Sequence, residues 1–282
     1  TARLTHATPA AVYAHSPERD WETDASLPAL VRSQGCTDIA EQLIEFPFDI
    51  ALGGGAKNFR GTGLGGTRLD PSENLIQDWV SVAPNRQAIY NKSDLQSVNS
   101  SGQILGAFSE SHMTFMVDKA ASSLEPTLTE MTAAALGHLD KKDEGYYLMI
   151  EGGRIDHGHH KGRAGYALTE GQEFARAVAY AEANTDPKET LILVTADHSH
   201  VFTIAGYPTR GNDILGVIKG NDDRGRPTGE ALLATDGLPY TTLGYWNGPG
   251  ASGGERAYPP TGVSALQQAV VPTGSGFDKT AK

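Results

Sequence analysis

Residues 146–160 read "YYLMIEGGRIDHGHH": an apolar run, a pair of glycines, and then a segment crowded with carboxylates and imidazoles. A second stretch, "TLILVTADHSH" (190–200), has the same order of apolar residues followed by ligand-bearing side chains. Each apolar run predicts a buried strand that ends at its polar residues. Open α/β sheets place their sites at the carboxyl ends of strands, so the two stretches predict a fold class and a site together.

Further apolar runs alternate with helical patterns along the chain. The strand-like runs are 49–55, 87–91 and 104–108, and the helical patterns are 37–46, 126–141 and 163–184. In the first helical pattern a threonine is the expected N-cap. In the second, one apolar face carries Leu128, Met131, Ala135 and Leu139. This alternation predicts βαβ units and a mostly parallel sheet, which is an α/β fold.

The composition changes after Gly206, where glycine, proline and turn residues surround short β-like pieces. We therefore predict three regions. Residues 1–205 form a partial α/β catalytic domain, residues 206–272 an irregular Gly/Pro-rich cap insertion, and residues 273–282 a tail.

Charge and hydropathy exclude several classes of partner. The formal net charge of −11 over 282 residues argues against nucleic acid and against an anionic membrane surface. No apolar run approaches the ~20 residues that a membrane-spanning helix needs. No signal peptide is recognisable at the first residues. Cys36 is interpreted as a small buried hydrophobic residue, or else as half of a disulfide with another chain.

The spacing of the polar residues favours metal binding. Asp156 and His160 are four residues apart, so one helical turn directs both to one point. Asp197 and His198 end the second stretch, where a loop lets both close around one ion. Carboxylate and imidazole together suit Zn²⁺, while Glu151 beside a hydroxyl suits Mg²⁺. Either stretch alone is also compatible with a solvated loop or a hydrogen-bonded Asp–His pair.

Five of the nine histidines lie in these two stretches, and three of them fit more than one role. His157, His159 and His200 could orient metal ligands or could simply be solvated. For His159 the solvated interpretation is as good as any other.

These residues resemble a known family. "EGGRIDHGHH" (151–160) and "VTADHSHVF" (194–202) resemble hallmark segments of the alkaline phosphatase family, most closely its animal-type branch. Further matching landmarks are "THATPAAVYAH" (5–15), "RDW" (19–21), "LGGG" (52–55), "GTRLD" (66–70), "TLTEMTAAAL" (127–136) and "GYPTRGN" (206–212). The resemblance implies a three-layer α/β/α sandwich with a mostly parallel central sheet and an irregular cap insertion.

The resemblance also implies a metal role for individual residues. Asp156 and His160 match the ligands of one zinc ion, and Asp197 and His198 match the ligands of a second. Glu151 and Thr8 match the ligands of a magnesium ion.

Other residues match positions around the metals. Arg19 matches an arginine that holds phosphate, for which its planar guanidinium is suited. Without the resemblance, Arg19 would be interpreted as a surface arginine beside Trp21. His6 and His157 match variable polar positions near the magnesium and the phosphate, and with His200 they are predicted to surround the ligands.

The resemblance implies hydrolysis of phosphate monoesters with two zinc ions, one magnesium ion and a phosphoserine intermediate. It further implies a periplasmic or extracellular homodimer. One alternative is a related metallohydrolase of the phosphodiesterase or sulfatase type. The other is a non-catalytic metal-binding relative.

The chain departs from the family pattern at both ends. The family's nucleophilic serine stands in a D-S-A context that is absent here, and Ser26 in "TDASLP" (23–28) matches a structural stretch instead. An upstream aspartate that bridges two metals is also missing, and no histidine follows His200 to complete one zinc site. We therefore expect these residues to be an internal piece of a longer protein, inactive when expressed alone.

Overall fold

The computed structural model describes residues 1–98, 102–141, 144–204, 206–233, 237, 239 and 241–245. The predicted tail (273–282), and the predicted cap beyond residue 245, lie outside the described residues. The chain divides into two units: residues 1–153 with 173–191, and residues 154–172 with 192–282. The predicted boundary at residue 206 remains a prediction.

The described residues contain α-helices, strands and short 3₁₀ turns. The helices are α1 (Ala7–Tyr13), α2 (Ala29–Ser33), α3 (Ile39–Glu45), α4 (Leu75–Val82), α5 (Lys92–Gln96), α6 (Leu128–Leu139), α7 (Arg154–His160) and α8 (Ala164–Ala183). The strands are β1 (Ile50–Gly53), β2 (Arg86–Ile89), β3 (Gln103–Ala107), β4 (Phe202–Ile204), β5 (Lys219–Asn221), β6 (Pro227–Ala231) and β7 (Leu243–Tyr245). None of the helices in this part of the chain is both long and apolar enough to cross a bilayer.

The first unit is built on a parallel sheet with strand order β1-β3-β2. In register, Ile104 of β3 lies opposite Ile50 of β1 and Gln87 of β2. Successive strand residues point to opposite faces. Accordingly, Ile104 packs into one core cluster and Leu105 into another.

Helices cover both faces of this sheet. The cluster containing Leu105 includes Leu43 of α3 and Trp79 of α4. The cluster containing Ile104 includes Met131 of α6 and Ala177 of α8. The predicted α/β class with a parallel sheet between helical layers is confirmed.

Capping residues fix where two of the predicted helices begin. The side chain of Asp38, rather than the expected threonine, accepts a hydrogen bond from the Glu41 amide at the start of α3. Thr127 and Glu130 form a reciprocal capping box at the start of α6. The four apolar residues predicted to share one face of α6 are all buried.

A buried ion network ties α3 to the loop that precedes α4. Arg68 is 1% exposed, and its Nη2 lies 2.9 Å from Oδ2 of Asp38, which is fully buried. The same guanidinium reaches Glu41 at 3.1 Å and Glu73 at 2.5 Å. One cation therefore faces three carboxylates. Burial, followed by the charge of Asp38, raises the pKa of Glu41 above its usual value.

We expect Glu41→Gln to leave stability at pH 7 unchanged or slightly higher. A carboxyl group whose pKa is raised on folding stabilises the fold fully below its unfolded pKa, and loses that contribution as pH rises through its folded pKa. The glutamine keeps the capping box and removes one of two adjacent negative charges. Urea unfolding from pH 4 to pH 8 measures this. A large loss of stability at pH 7 in the variant would contradict it.

The second unit contains α7, the first half of α8 and two antiparallel strand pairs. β4 pairs with β7, so that Phe202 lies opposite Tyr245, and β5 pairs with β6. Leu243 and Tyr245 of β7 pack with Ala164 of α8 in a small core.

The strands predicted at 146–152 and 190–197 are wrong for this structure, because neither segment forms a ladder with another described residue. Their apolar side chains are also largely exposed, with Tyr147, Leu191 and Leu193 each 81% exposed. An extended segment is stabilised by pairing on its edges and by burial of its faces, and these segments have no ladder pairing among the described residues. The buried interpretation of Cys36 is likewise wrong, since this thiol is exposed and free.

Candidate metal centre

Helix α7 brings Asp156 and His160 together, as their four-residue spacing predicts. Nε2 of His160 lies 3.4 Å from Oδ2 of Asp156. Asp156 stands in the first turn of the helix, where a negative charge is favoured by the helix dipole. His160 is in the last turn, and its side chain is 64% exposed.

A glycine lets α7 pack closely against α8. Gly158 is buried, and a Cβ added there would lie 2.7 Å from the backbone nitrogen of Ala167. Real Cβ atoms do not approach backbone that closely, so a side chain at this position would force the two helices apart. The "DHGHH" pattern therefore combines ligand spacing with a packing requirement.

The second stretch directs two more imidazoles at Asp156. Nε2 of His200 lies 3.6 Å from Oδ1 of Asp156, and Nε2 of His198 lies 4.0 Å from the same atom. Asp197 contacts His198 at 3.3 Å, although its own side chain is 72% exposed. Asp156 is thus the centre of a cluster with His160, His198 and His200.

The donor set of this cluster suits a divalent cation. Donor atoms of Asp156, His160 and His200 all lie within 4.8 Å of one another. Oδ1 of Asp156 is buried and has no hydrogen-bond partner among the described residues. Buried polar atoms normally have partners, so an orphaned carboxylate oxygen between imidazoles fits a metal ligand. One carboxylate and two imidazoles are typical zinc ligands.

Protonation differs among the histidines. Burial, followed by the charge of His160, lowers the pKa of His200 below its usual value. Burial and His200 lower the pKa of His159 to about 4. These rings are therefore neutral at pH 7, which is the form that binds metals. A hydrogen bond to the Ser199 carbonyl, then Asp197, raises the pKa of exposed His198, so a metal there competes with a proton.

His157 contacts Arg154, three residues before it on the same helix. Its Nδ1 lies 2.8 Å from Nη1 of Arg154. The four remaining residues with predicted roles lie in the first unit.

Glu151 has the environment of a cation ligand. Its Oε2 is buried and has no hydrogen-bond partner among the described residues. A Cβ at Gly153 would lie only 2.9 Å from this oxygen, so the glycine leaves it room. Thr8 is half-buried in the first turn of α1.

Arg19 is exposed in the loop after α1, and its Nη2 lies 3.4 Å from Nε2 of His6. Burial, then the charge of Arg3, lowers the pKa of His6. A neutral His6 can accept a hydrogen bond from Arg19. The remaining N–H groups of the Arg19 guanidinium can then bind an anion.

A polar network that no sequence motif indicates holds the chain before α1. Arg3 donates from Nε to Oε2 of Glu22 at 2.8 Å, and its Nη1 lies 2.6 Å from Nε2 of His112. Asn58 donates to Glu22 at 2.9 Å and to Thr5 at 2.9 Å. These partners are up to 109 residues apart, so local spacing could not reveal them.

Comparison with known proteins gives a consistent result. The model of one family, described as alkaline phosphatase, matches residues 1–258. The chain is 40% identical over 276 residues to the tissue-nonspecific isozyme of alkaline phosphatase from Gallus gallus, covering 91% of this chain and 51% of that protein. For the Homo sapiens isozyme the identity is 39% over 276 residues, covering 91% and 50%. The chain spans about half the length of these curated relatives.

Solved structures show the same likeness. The alkaline phosphatase from the Antarctic bacterium TAB5 matches with a TM-score of 0.57 at 25% identity, covering 74% of this chain and 55% of that chain. A cold-active alkaline phosphatase from Shewanella sp. matches with a TM-score of 0.51 at 27% identity, covering 65% and 38%.

Proposed function

Because the chain belongs to the alkaline phosphatase family, we propose that it carries metal and phosphate ligands of a metal-dependent phosphomonoester hydrolase. The observation that carries this proposal is the Asp156 cluster. A buried carboxylate oxygen without a hydrogen-bond partner among the described residues faces the imidazoles of His160 and His200. No observation on the described residues specifically favours the alternative functions, which are a phosphodiesterase or sulfatase and a non-catalytic metal-binding protein.

The proposal assigns two zinc ions and one magnesium ion. Asp156 and His160 would hold one zinc, and Asp197 and His198 the other. Glu151 and Thr8 would hold the magnesium, and the orphaned Oε2 of Glu151 supports this role. When bound, such ions offset charge on phosphate oxygens and lower the pKa of bound water.

His200 lies beside Asp156 and His160, with donor atoms close enough for one ion. Its distance of 3.6 Å from Asp156 is close to that of His160. We therefore propose that His200 either orients the metal ligands, as predicted, or binds the first zinc together with Asp156 and His160. Both roles place its Nε2 beside the same carboxylate.

Arg19 is proposed to hold two oxygens of the phosphate group. Arg19 is exposed and its guanidinium lies 3.4 Å from His6, so its planar N–H groups are accessible to an anion. The proposal includes the phosphoserine intermediate of the family, and assigns none of the 282 residues as its nucleophile.

The setting of the enzyme is also part of the proposal. The family resemblance supports a periplasmic or extracellular homodimer that acts on phosphate monoesters. The acidic net charge of −11 is in keeping with a small-molecule substrate rather than nucleic acid. Sedimentation equilibrium measures the assembly state, and a monomeric mass at micromolar concentration would contradict the dimer.

Arg19→Ala is expected to weaken binding of inorganic phosphate about tenfold. A charge-assisted hydrogen bond contributes roughly 1.5–3 kcal/mol, and about 1.4 kcal/mol corresponds to a tenfold change in affinity. Calorimetric titration of the zinc- and magnesium-loaded chain with phosphate measures this. Arg19→Lys keeps the positive charge but not the planar guanidinium. Its phosphate affinity should lie between those of the unaltered chain and Arg19→Ala.

The exposed Arg210 provides a matched control. Arg210→Ala should bind phosphate as the unaltered chain does. Equal phosphate affinities in Arg19→Ala and Arg210→Ala would show that Arg19 does not bind the phosphate. In the whole protein, faster cleavage of p-nitrophenyl phosphate than of its diester or sulfate analogues separates a monoesterase from the alternatives.

A further inference from the structure

A buried tyrosine lies behind the Asp156 cluster without being part of its ligand set. Tyr245 of β7 is 1% exposed and packs in the small core with Leu243 and Ala164. A hydrogen bond of 2.7 Å joins its hydroxyl to Nδ1 of His159. This contact spans 86 positions of sequence, and it anchors a helix that carries metal ligands to a core strand.

His159 in turn contacts the ring of His200. The two imidazoles are stacked, with centroids 5.1 Å apart and an interplanar angle of 28°. On its other sides, His159 touches Phe202 at 5.0 Å and Tyr245 at 5.6 Å between centroids. His200 is therefore packed on one face by a ring that is itself held by a hydrogen bond.

The pairing of β4 with β7 also places His200 close to Tyr245. His200 lies two residues before Phe202 of β4, and Phe202 pairs directly with Tyr245 of β7. His160, the neighbour of His159, meets His200 edge-on at 4.9 Å and 88°. Both ligand-bearing segments are thus fixed against one tyrosine.

We propose that Tyr245 is a positioning residue that acts through His159 to hold the His200 imidazole against Asp156. The inference rests on the proposed metal site, because it assigns a purpose to the orientation of that cluster. Groups that orient metal ligands without touching the metal typically change metal affinity 10–100-fold when removed. His159, which the sequence left equally open to a solvated interpretation, is here the link between core and cluster.

The test is zinc affinity of the full chain, measured by competition with a chromophoric chelator. Tyr245→Phe keeps the ring and removes the hydroxyl, and it should bind zinc about tenfold more weakly. His159→Phe keeps an aromatic stack on His200 without a nitrogen, and it should show a similar loss. The double variant should lose no more than either single variant, because both remove the same hydrogen bond.

A second readout separates positioning from a general loss of structure. Cobalt(II) bound in place of zinc reports ligand geometry through its visible absorption bands. Those bands should shift in Tyr245→Phe and in His159→Phe, with folding unchanged by circular dichroism. Tyr207→Phe is the matched control, since this tyrosine of the same unit is 93% exposed and should change neither readout.

Wild-type zinc affinity and cobalt spectrum in both single variants would overturn the inference. So would additive losses in the double variant. If Tyr245→Phe does not fold, His159→Phe alone decides the question. Asp156→Ala distinguishes the two proposals. Unchanged zinc affinity in Asp156→Ala would contradict the proposed metal site. Weakened zinc binding in Asp156→Ala with unchanged zinc binding in Tyr245→Phe would contradict the positioning role alone.

Discussion

Asp156→Ala is expected to weaken zinc binding by the chain at least about 100-fold. Removing a residue that only orients a metal ligand usually has a smaller effect. The Asp156 carboxylate lies 3.4 Å from His160 and 3.6 Å from His200. Without it, the cluster keeps its imidazoles but loses the carboxylate whose negative charge offsets that of the cation. Competition with a chromophoric zinc chelator at pH 7.5 measures the affinity.

Two further variants sharpen this result. Asp156→Asn keeps the shape and one oxygen but removes the charge, so its loss should be smaller than that of the alanine variant. Asp223→Ala removes an exposed carboxylate from the turn between β5 and β6 and should leave zinc affinity unchanged. Equal zinc affinities in Asp156→Ala and Asp223→Ala would mean that the cluster is not the metal site.

The parts of the fold that were predicted correctly are those specified by local pattern. The runs at 49–55, 87–91 and 104–108 became β1, β2 and β3 because β3 pairs with both of the other two strands. The apolar face of α6 was readable because its period matches a helix packed on a sheet. Ser26, predicted to be structural, caps a 3₁₀ turn by bonding to Thr23.

Apolar runs alone did not decide strand formation. The segments 146–152 and 190–197 are as apolar as β3, yet neither forms a ladder with another described residue, and several of their large apolar side chains are exposed. Periodicity reports a preference for burial, whereas a strand also needs a neighbour of matching register. That neighbour is a property of the whole sheet and cannot be read from the run itself.

The site shows the same division between local and distant information. The i to i+4 geometry of Asp156 and His160 follows from helix periodicity, so spacing sufficed. The approach of His200 to Asp156 depends on how β4 pairs with β7. The sequence therefore predicted which residue types lie together without showing that three imidazoles face one carboxylate.

Arg68→Met is expected to lower the free energy of unfolding by about 3–5 kcal/mol, the usual cost of breaking a buried ion pair. Asp38 is fully buried, and Arg68 lies 2.9 Å from its Oδ2. Methionine fills much of the volume but leaves that carboxylate without its cation. Urea unfolding followed by fluorescence of Trp79, which is buried beside α3, measures the change.

Two comparisons identify the cause of that loss. Arg60→Met removes a cation paired with Glu110, whose side chain is 65% exposed, and should cost less than about 1 kcal/mol because such pairs are solvated. Adding Asp38→Asn to Arg68→Met removes the stranded charge, so the double variant should be more stable than Arg68→Met alone. If the second substitution lowers stability further, the damage in Arg68→Met comes from lost packing of the guanidinium and not from an uncompensated carboxylate.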